Sequence, residues 1–553
     1  MEDCKDAPYS EEYYDLLVSY LSLENEYLPG GCIQNIDKDF NVVYLQSAGL
    51  PKLDIDQYTY SAIPKCFTIL DEEALQAGGI IRVQSQPNLA LRGQGVLIGF
   101  VDTGIDYQNE VFRNSDGSSR ILRIWDQSIR SEDTPEGFLY GTEYTKEQID
   151  MALLTDAPLR VVPHRDEEGH GTFMAGLAAG SEKLSEKFAG VAPYAQIAMV
   201  KLKPAKKYLR RFYYIPEGAE AYQENDIMAG VAYLTRLAER YRRPLVIYLG
   251  LGSNSGDHSG NSVISYYLNY VSFKRNTAVV VAAGNEATAR HHYYGEVAFG
   301  QQSDVVEVDI EMWAKAPELY SVRIISPTGE RTAGVRVQQD GREVYRFVFE
   351  NTQVIIDYHI VGTATGDQLI YIRFDRPTRG IWTIEVNGDY SIEGRYHMWL
   401  PITGLIAGDI SFIRSNPDTT ITMPGNAAAP MTVGGYNAGN DSIYLNSSRG
   451  YTASGLVKPD FAAPGVNVIG PAPGNRFEAR SGTSIAAAIT AGAAALYLEW
   501  AVERGYNTDI TNAEIKNDFI RGAVRLESRV YPNREWGYGT LNLYQSFEQL
   551  RRT

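Results

Sequence analysis

Four short stretches of this 553-residue sequence carry the residue types of acyl transfer: a hydroxyl, an imidazole, a carboxylate and a carboxamide. Arg480-Ser-Gly-Thr-Ser-Ile-Ala-Ala-Ala-Ile-Thr-Ala-Gly-Ala-Ala-Ala-Leu496 runs from a small-residue turn into an Ala-rich segment of good helix formers. Ser484 is therefore expected at or near a helix N-terminus, where unpaired amides and the dipole favour nearby negative charge. A nucleophile is useful there, although an ordinary capped, buried helix accounts for the same residues equally well. Val96-Leu-Ile-Gly-Phe-Val-Asp-Thr-Gly-Ile-Asp106 reads as an apolar strand ending in a carboxylate and a turn. That puts Asp102 at the C-terminal edge of a sheet, where α/β sites are built. Gly169-His-Gly-Thr-Phe-Met-Ala-Gly-Leu-Ala-Ala-Gly180 sets His170 just ahead of a small-residue helix. Ala278-Val-Val-Val-Ala-Ala-Gly-Asn-Glu286 ends another apolar strand in Asn285, whose side-chain amide can donate to an oxyanion. Each stretch alone is a weak signal; four in this order are not.

Asp, His and Ser follow one another in the order of subtilisin, and the sequence resembles the subtilisin-like serine proteases. Asp-Thr-Gly at Asp102, Gly-His-Gly-Thr at His170, Ala-Ala-Gly-Asn at Asn285 and Ser-Gly-Thr-Ser at Ser484 match that family's four signature blocks. Lys458-Pro-Asp-Phe-Ala-Ala-Pro-Gly465 and Gly537-Tyr-Gly-Thr-Leu-Asn542 add to the match, which runs from about residue 95 to Tyr544 with one large insertion. The serine block departs from many members in carrying Ile485 and Ala488 where Met and Pro are common. Ile485 with its Ala-rich continuation, the large insertion and the run Gly95-Val-Leu-Ile-Gly-Phe-Val-Asp-Thr-Gly most resemble the clostridial germination-type subtilases.

The resemblance implies a serine endopeptidase in which Ser484 attacks, His170 acts as base, Asp102 orients the imidazole and Asn285 helps to hold the oxyanion. It implies that Gly250, Leu251 and Gly252, after the strand Leu245–Leu249, bind extended substrate, with Ala283 and Gly284 beside them; a Gly/Ser-rich loop explains that composition as well. It places a prodomain, cut after folding, where residues 1–70 stand, with a permanent N-terminal extension as the alternative. The other function class left open is a subtilase-fold protein with an unused triad that binds or regulates a partner. A metal hydrolase falls away because the sequence has neither His-Glu-x-x-His nor paired Cys ligands. No cofactor is required for the chemistry; structural Ca2+ is compatible with the family, without assigned ligands.

Hydrophobic content of 44% and charged content of 22% are those of a globular protein, and the length calls for two or three domains. A formal net charge of -17 argues against nucleic acid or anionic membrane as a partner and leaves a peptide or protein substrate open. Met1-Glu-Asp-Cys-Lys-Asp has no apolar core of signal-peptide length and no later run approaches a membrane span, so the expected location is the cytoplasm, with spore association or release by another route also open. Cys4, Cys32 and Cys66 are an odd count and are expected as reduced thiols, without a disulfide framework or a thiolate metal site. Oligomeric state is not legible.

The elements that must position these residues follow from periodicity. Residues 71–300 and 420–553 alternate apolar strands with amphipathic helices, the pattern of an α/β domain whose parallel sheet is covered by helices on both faces. Residues 301–419 change to short alternating runs, among them Val305-Val-Glu-Val-Asp-Ile-Glu-Met-Trp, Thr332-Ala-Gly-Val-Arg-Val and Gly380-Ile-Trp-Thr-Ile-Glu-Val, which predict an inserted antiparallel sandwich or jelly roll. Residues 1–70 predict a small N-terminal α+β segment, with Phe40 to Gln46 as a strand. The basic run Lys201, Lys203, Lys206, Lys207, Arg210 and Arg211, interleaved with aromatics, is read as a solvated loop face rather than an anion site.

Overall fold

Continuous runs of Val, Ile, Leu and Ala need cover on both faces, and they form the centre of the computed structural model. It describes residues 2–550 apart from 20–31, 70–77, 294–297, 300–307, 334–340, 362–365 and the single positions 38, 56, 187 and 391. Nine strands make the central sheet: β1 (Leu97–Asp102), β2 (Ile121–Asp126), β3 (Thr142–Thr145), β4 (Gln196–Lys201), β5 (Leu245–Leu249), β6 (Thr277–Ala282), β7 (Met431–Asn437), β8 (Ser442–Ile443) and β9 (Phe461–Pro464). Their order across the sheet is β8-β7-β6-β5-β1-β4-β2-β3, with β9 also on β7. All pairs are parallel except β2 with β3 and β7 with β8.

The covering helices are α1 (His170–Ala179), α2 (Glu224–Tyr241), α3 (Val263–Ser272) and α4 (Thr483–Leu498). Side chains alternate between the two layers as a strand requires. Ile98, Phe100, Val246, Tyr248, Val280 and Ala282 share a core with α1 and α4, whereas Leu97, Val101, Ile247, Leu249, Val279 and Val281 share one with α2 and α3. α4 corrects one expectation. With its continuation to Glu503 it is long and apolar enough to cross a bilayer, at a mean hydropathy of 1.6 over its most apolar window, yet 89% of that window is buried inside the protein. Its apolarity is that of a helix enclosed on all sides.

The N-terminal segment adds a three-stranded antiparallel sheet, in the order Tyr13–Ser19, Phe40–Gln46, Cys32–Asp37. Leu17, Ile36, Val42 and Tyr44 bury against the α2 layer. Cys4 and Cys32, read as free thiols, are bonded to each other with their Cα atoms 5.5 Å apart, and Cys66 is a buried thiol. The 3-10 turn Glu2–Lys5 brings Cys4 back onto the strand of Cys32, a closure that cysteine spacing alone does not reveal. The basic run is also corrected, because its middle faces inward. Lys206 Nζ lies 2.5 Å from the Asp15 carboxylate and donates to the Ala7 carbonyl at 2.7 Å, and Lys203 pairs with Asp226 at 2.6 Å. Both lysines are buried ion-pair partners, not a solvated face; Lys206 fastens the N-terminal segment, and Lys203 pairs with α2.

Between β6 and β7 the chain leaves the parallel sheet for antiparallel ones. A six-stranded sheet runs in the order His292–Tyr293, His397–Trp399, Val308–Ala314, Asp367–Asp375, Thr352–Val361, Gly341–Phe347; Leu319–Ile325 pairs with Thr383–Tyr390 and Ala298–Phe299 with Ile410–Ser411. Ile310, Val322, Ile356, Ile372 and Trp382 belong to a core separate from the parallel sheet. The strand expected from Thr332 to Val337 lies mostly outside the described residues. The incoming and outgoing strands are paired, His292 opposite Trp399 and Tyr293 opposite Met398.

At this base His258, His292 and His397 stack around Trp399, with ring centroids 4.1, 5.0 and 5.0 Å away. His292 Nε2 is 2.9 Å from His397 Nδ1. Burial pushes His258 and His397 down to about 4 and His292 well below the usual imidazole range. Unfolded imidazoles titrate near 6.5, so between pH 6.5 and 4 the unfolded chain binds protons that the folded chain refuses, and stability falls as pH falls through that window. Denaturant unfolding measured across it should show this loss, with a shallower slope for His397→Gln. An unchanged slope would assign the loss to other groups.

Candidate active site

Three chain ends meet at the C-terminal edge of the sheet: the end of β1, the first turn of α1 and the first turn of α4. They carry Asp102, His170 and Ser484, and each of these residues is 0% exposed. His170 Nδ1 lies 2.7 and 3.0 Å from the two carboxylate oxygens of Asp102, one of which also accepts the Thr103 amide at 2.7 Å. A ring nitrogen facing both oxygens of a carboxylate carries the proton, which leaves Nε2 as the basic nitrogen. Ser484 Oγ is 3.4 Å from the Gly250 carbonyl, and the Tyr248 hydroxyl donates to the Ser484 carbonyl at 3.1 Å. Position 250 has to be glycine: a Cβ there would overlap the Tyr248 hydroxyl and stand 3.2 Å from His170 Cε1. The backbone at Gly250 thus lies against both His170 and Ser484.

The register between β1 and α1 is held by Asp166. Its carboxylate accepts four bonds, from Thr103 Oγ1 at 2.8 Å, the Gly169 amide at 2.9 Å, the Thr172 amide at 2.8 Å and Thr172 Oγ1 at 2.6 Å. Thr103 Oγ1 in turn accepts the Gly171 amide at 2.9 Å. α1 has no side-chain cap at Gly169, so Asp166 and Thr103 together satisfy its orphan amides and place negative charge at its positive end. Gly171 lets the two elements approach, since a Cβ there would run into the Gly104 carbonyl. A second buried pair, His164 with Asp126 at 2.6 Å, lies behind this turn. His164 Nε2 accepts the Ile105 amide at 3.1 Å, so its lone pair is spent and it braces the loop rather than acting as a base.

Asn285 is oriented by Thr483, whose amide and Oγ1 both donate to the Asn285 carboxamide oxygen at 3.1 Å. Two donors on one atom identify it as the oxygen, so the NH2 group points away from Thr483. The neighbouring Ala283 and Gly284 have their backbone groups engaged within the domain. Ala283 bonds to Val433 and Thr422, and Gly284 to Thr483 and Ser448, at 2.8–3.1 Å.

Leu251 and Gly252 instead pair with a segment of the N-terminal region. The strand Cys66–Ile69 lies antiparallel between two edges, with Ile69 opposite Leu251 and Thr68 opposite Gly252 on one side, and Cys66 opposite Gln223 and Phe67 opposite Tyr222 on the other. Cys66 buries into one core and Phe67 into the other. A stretch of this chain is thus added as a strand beside Gly250. Among the described residues, no group of three or more His, Cys, Asp or Glu side chains is arranged to hold a metal ion.

A mostly parallel sheet in this order, with a carboxylate, an imidazole and a hydroxyl gathered at its C-terminal edge, is the architecture of the subtilisin-like serine proteases. The chain belongs to the subtilase family: the family's model matches residues 93–315 and 406–539, and the gap in that match falls within the inserted sheets. The structure is similar to that of the Clostridium perfringens CspB protease, with a TM-score of 0.76 and 28% identity, covering 86% of this chain and 98% of that one. The chain is also similar to the C5a peptidase of Streptococcus pyogenes serotype M1, 20% identical over 458 residues, which is 74% of this chain and 35% of that protein. Over a shorter stretch of 153 residues it is 37% identical to serine protease AprX of Bacillus subtilis strain 168, covering 24% of this chain and 33% of that one. The chain spans about a third of the length of these two curated relatives.

Sequence reading missed Asp166, Tyr248, Thr483 and the edge Tyr222–Gln223. Asp166 had a local signal, an acidic run just ahead of a helix start; an edge defined only by its partner had none. Asp166→Ala strands two amides and two hydroxyls at once. Turnover should fall roughly tenfold to a hundredfold, about 1.4–2.7 kcal/mol of barrier, with KM nearly constant in steady-state kinetics on a peptide substrate. A change confined to KM would show that Asp166 does not set the register of His170.

Proposed function

We propose that the protein is a serine endopeptidase that hydrolyses peptide bonds through an acyl-enzyme on Ser484 and that it cuts its own N-terminal segment. The observation that carries this reading is the strand Cys66–Ile69. It is an extended polypeptide seated in antiparallel register on Leu251–Gly252, one residue from Gly250 and so from Ser484. A site that takes main chain by strand addition recognises peptides first and side chains second.

His170 Nε2 takes the proton from Ser484 Oγ as the hydroxyl attacks the carbonyl carbon, then returns it to the leaving amine. Asp102 holds the imidazole tautomer and stabilises the imidazolium. The oxyanion is received by the Asn285 NH2 group and the Ser484 amide at the N-terminus of α4, where the dipole adds to the hydrogen bonds. Water then attacks the ester by the reverse path. Every group in this sequence is a side chain or an amide of this chain.

Intact mass of the purified protein tests both halves of the proposal. The wild type should lose a piece that ends just beyond Ile69, within residues 70–77, and Ser484→Ala should keep its full length and fold. Asn285→Ala should lower turnover by about two to three orders of magnitude, the usual cost of one oxyanion donor, about 2.7–4 kcal/mol. If wild type and Ser484→Ala both stay full length and the wild type is not labelled by a fluorophosphonate probe, the triad is unused and the protein is a binding or regulatory member of the family.

A further inference from the structure

Glu286 follows Asn285 in sequence and is buried, 2% exposed, where the inserted sheets join the parallel one. A carboxylate at such a place is costly unless every oxygen is bonded, and its partners come from three separate elements. Oε2 faces His291 Nδ1 at 2.8 Å and accepts from Asn254 Nδ2 at 3.1 Å, and Oε1 accepts the Thr403 amide at 3.2 Å. His291 lies on the chain entering the insertion, directly before the strand His292–Tyr293. Thr403 lies on the chain leaving it, after the strand His397–Trp399. The two are joined by the Leu400 amide, which donates to the His291 carbonyl at 2.9 Å. Asn254 stands two residues beyond Gly252 on the edge that receives the peptide, and it also donates to the Leu400 carbonyl at 3.2 Å.

The loop carrying Asn285 is therefore held from two sides. On the side of the parallel sheet, Gly284 bonds to Thr483 and Ser448, and the Glu286 amide donates to Ser448 Oγ at 3.0 Å. On the side of the insertion, the Glu286 carboxylate is the link. We propose that Glu286 is a positioning residue that fixes the Asn285 amide over the developing oxyanion by tying its loop to both ends of the inserted sheets. This rests on the role given to Asn285 above. Burial alone would raise the Glu286 carboxyl; His291, Thr403 and Asn254 bring it below its usual range, so Glu286 itself is ionised at neutral pH. The insertion then serves the reaction by anchoring a loop rather than by touching substrate.

A double-mutant cycle tests it. Glu286→Gln keeps the shape but turns an NH2 group toward donors. It should lower kcat roughly tenfold to a hundredfold while KM stays within about threefold. In the Asn285→Ala background, where the donor being positioned is gone, the same substitution should change kcat by less than about threefold. His291→Leu should reproduce the defect, and His291→Asn, which keeps a donor near Nδ1, should restore most of the rate; this pair also carries the test if Glu286→Gln does not fold. Independent, multiplicative effects of Glu286→Gln and Asn285→Ala would overturn the positioning role while leaving the oxyanion assignment intact. If Asn285→Ala itself leaves kcat unchanged, the oxyanion assignment fails and the proposal falls with it.

Discussion

The site depends on keeping the end of one strand in register with the first turn of a helix that begins 68 residues later in the chain. Asp102 and His170 meet only because Asp166, Thr103 and Thr172 convert the unpaired amides of α1 into bonds to the turn after β1. Such a join has little freedom. The amides are orphans of helix geometry and must be satisfied, and the donors and acceptors at hand belong to the neighbourhood of Asp102 and His170. Satisfying the helix end and aligning the imidazole are one event.

The same economy recurs at Asn285. Thr483 is the first residue of α4 and also orients the Asn285 carboxamide, so the helix that carries Ser484 sets the group facing it. The inserted sheets enter and leave within a few residues of this loop. A folding unit of its own core, attached by paired strands, can brace a loop without reshaping the parent sheet.

Much of this was legible from local pattern. β1, β5 and β6 match the apolar runs within a residue, because strands covered on both faces must be apolar throughout, and the antiparallel insertion announced itself by its alternating runs. The four candidate site residues were legible as strand ends and helix starts. What escaped is pairwise and distant. Lys206 and Asp15 are 191 residues apart, and nothing near either says that an inward-facing lysine in a basic run will be neutralised by a strand of the N-terminal segment. Cys4 and Cys32 likewise become partners only once a short turn and a strand are docked. Glu286 looked like the tail of a motif because its partners arrive from the two ends of an insertion.

If the edge at Leu251–Gly252 takes substrate as proposed, the strand Cys66–Ile69 that is paired with it sets a threshold for anything else that would use the site. While it is joined to the rest of the chain, it competes for the slot at an effective concentration of order millimolar, whereas a free peptide competes only at its own concentration. Severing that connection does not by itself clear the slot, since Lys206 and Asp15 still fasten the same segment elsewhere. If the chain cuts itself beyond Ile69 as proposed, the cut and the opening of the site to other peptides are separate events with separate rates.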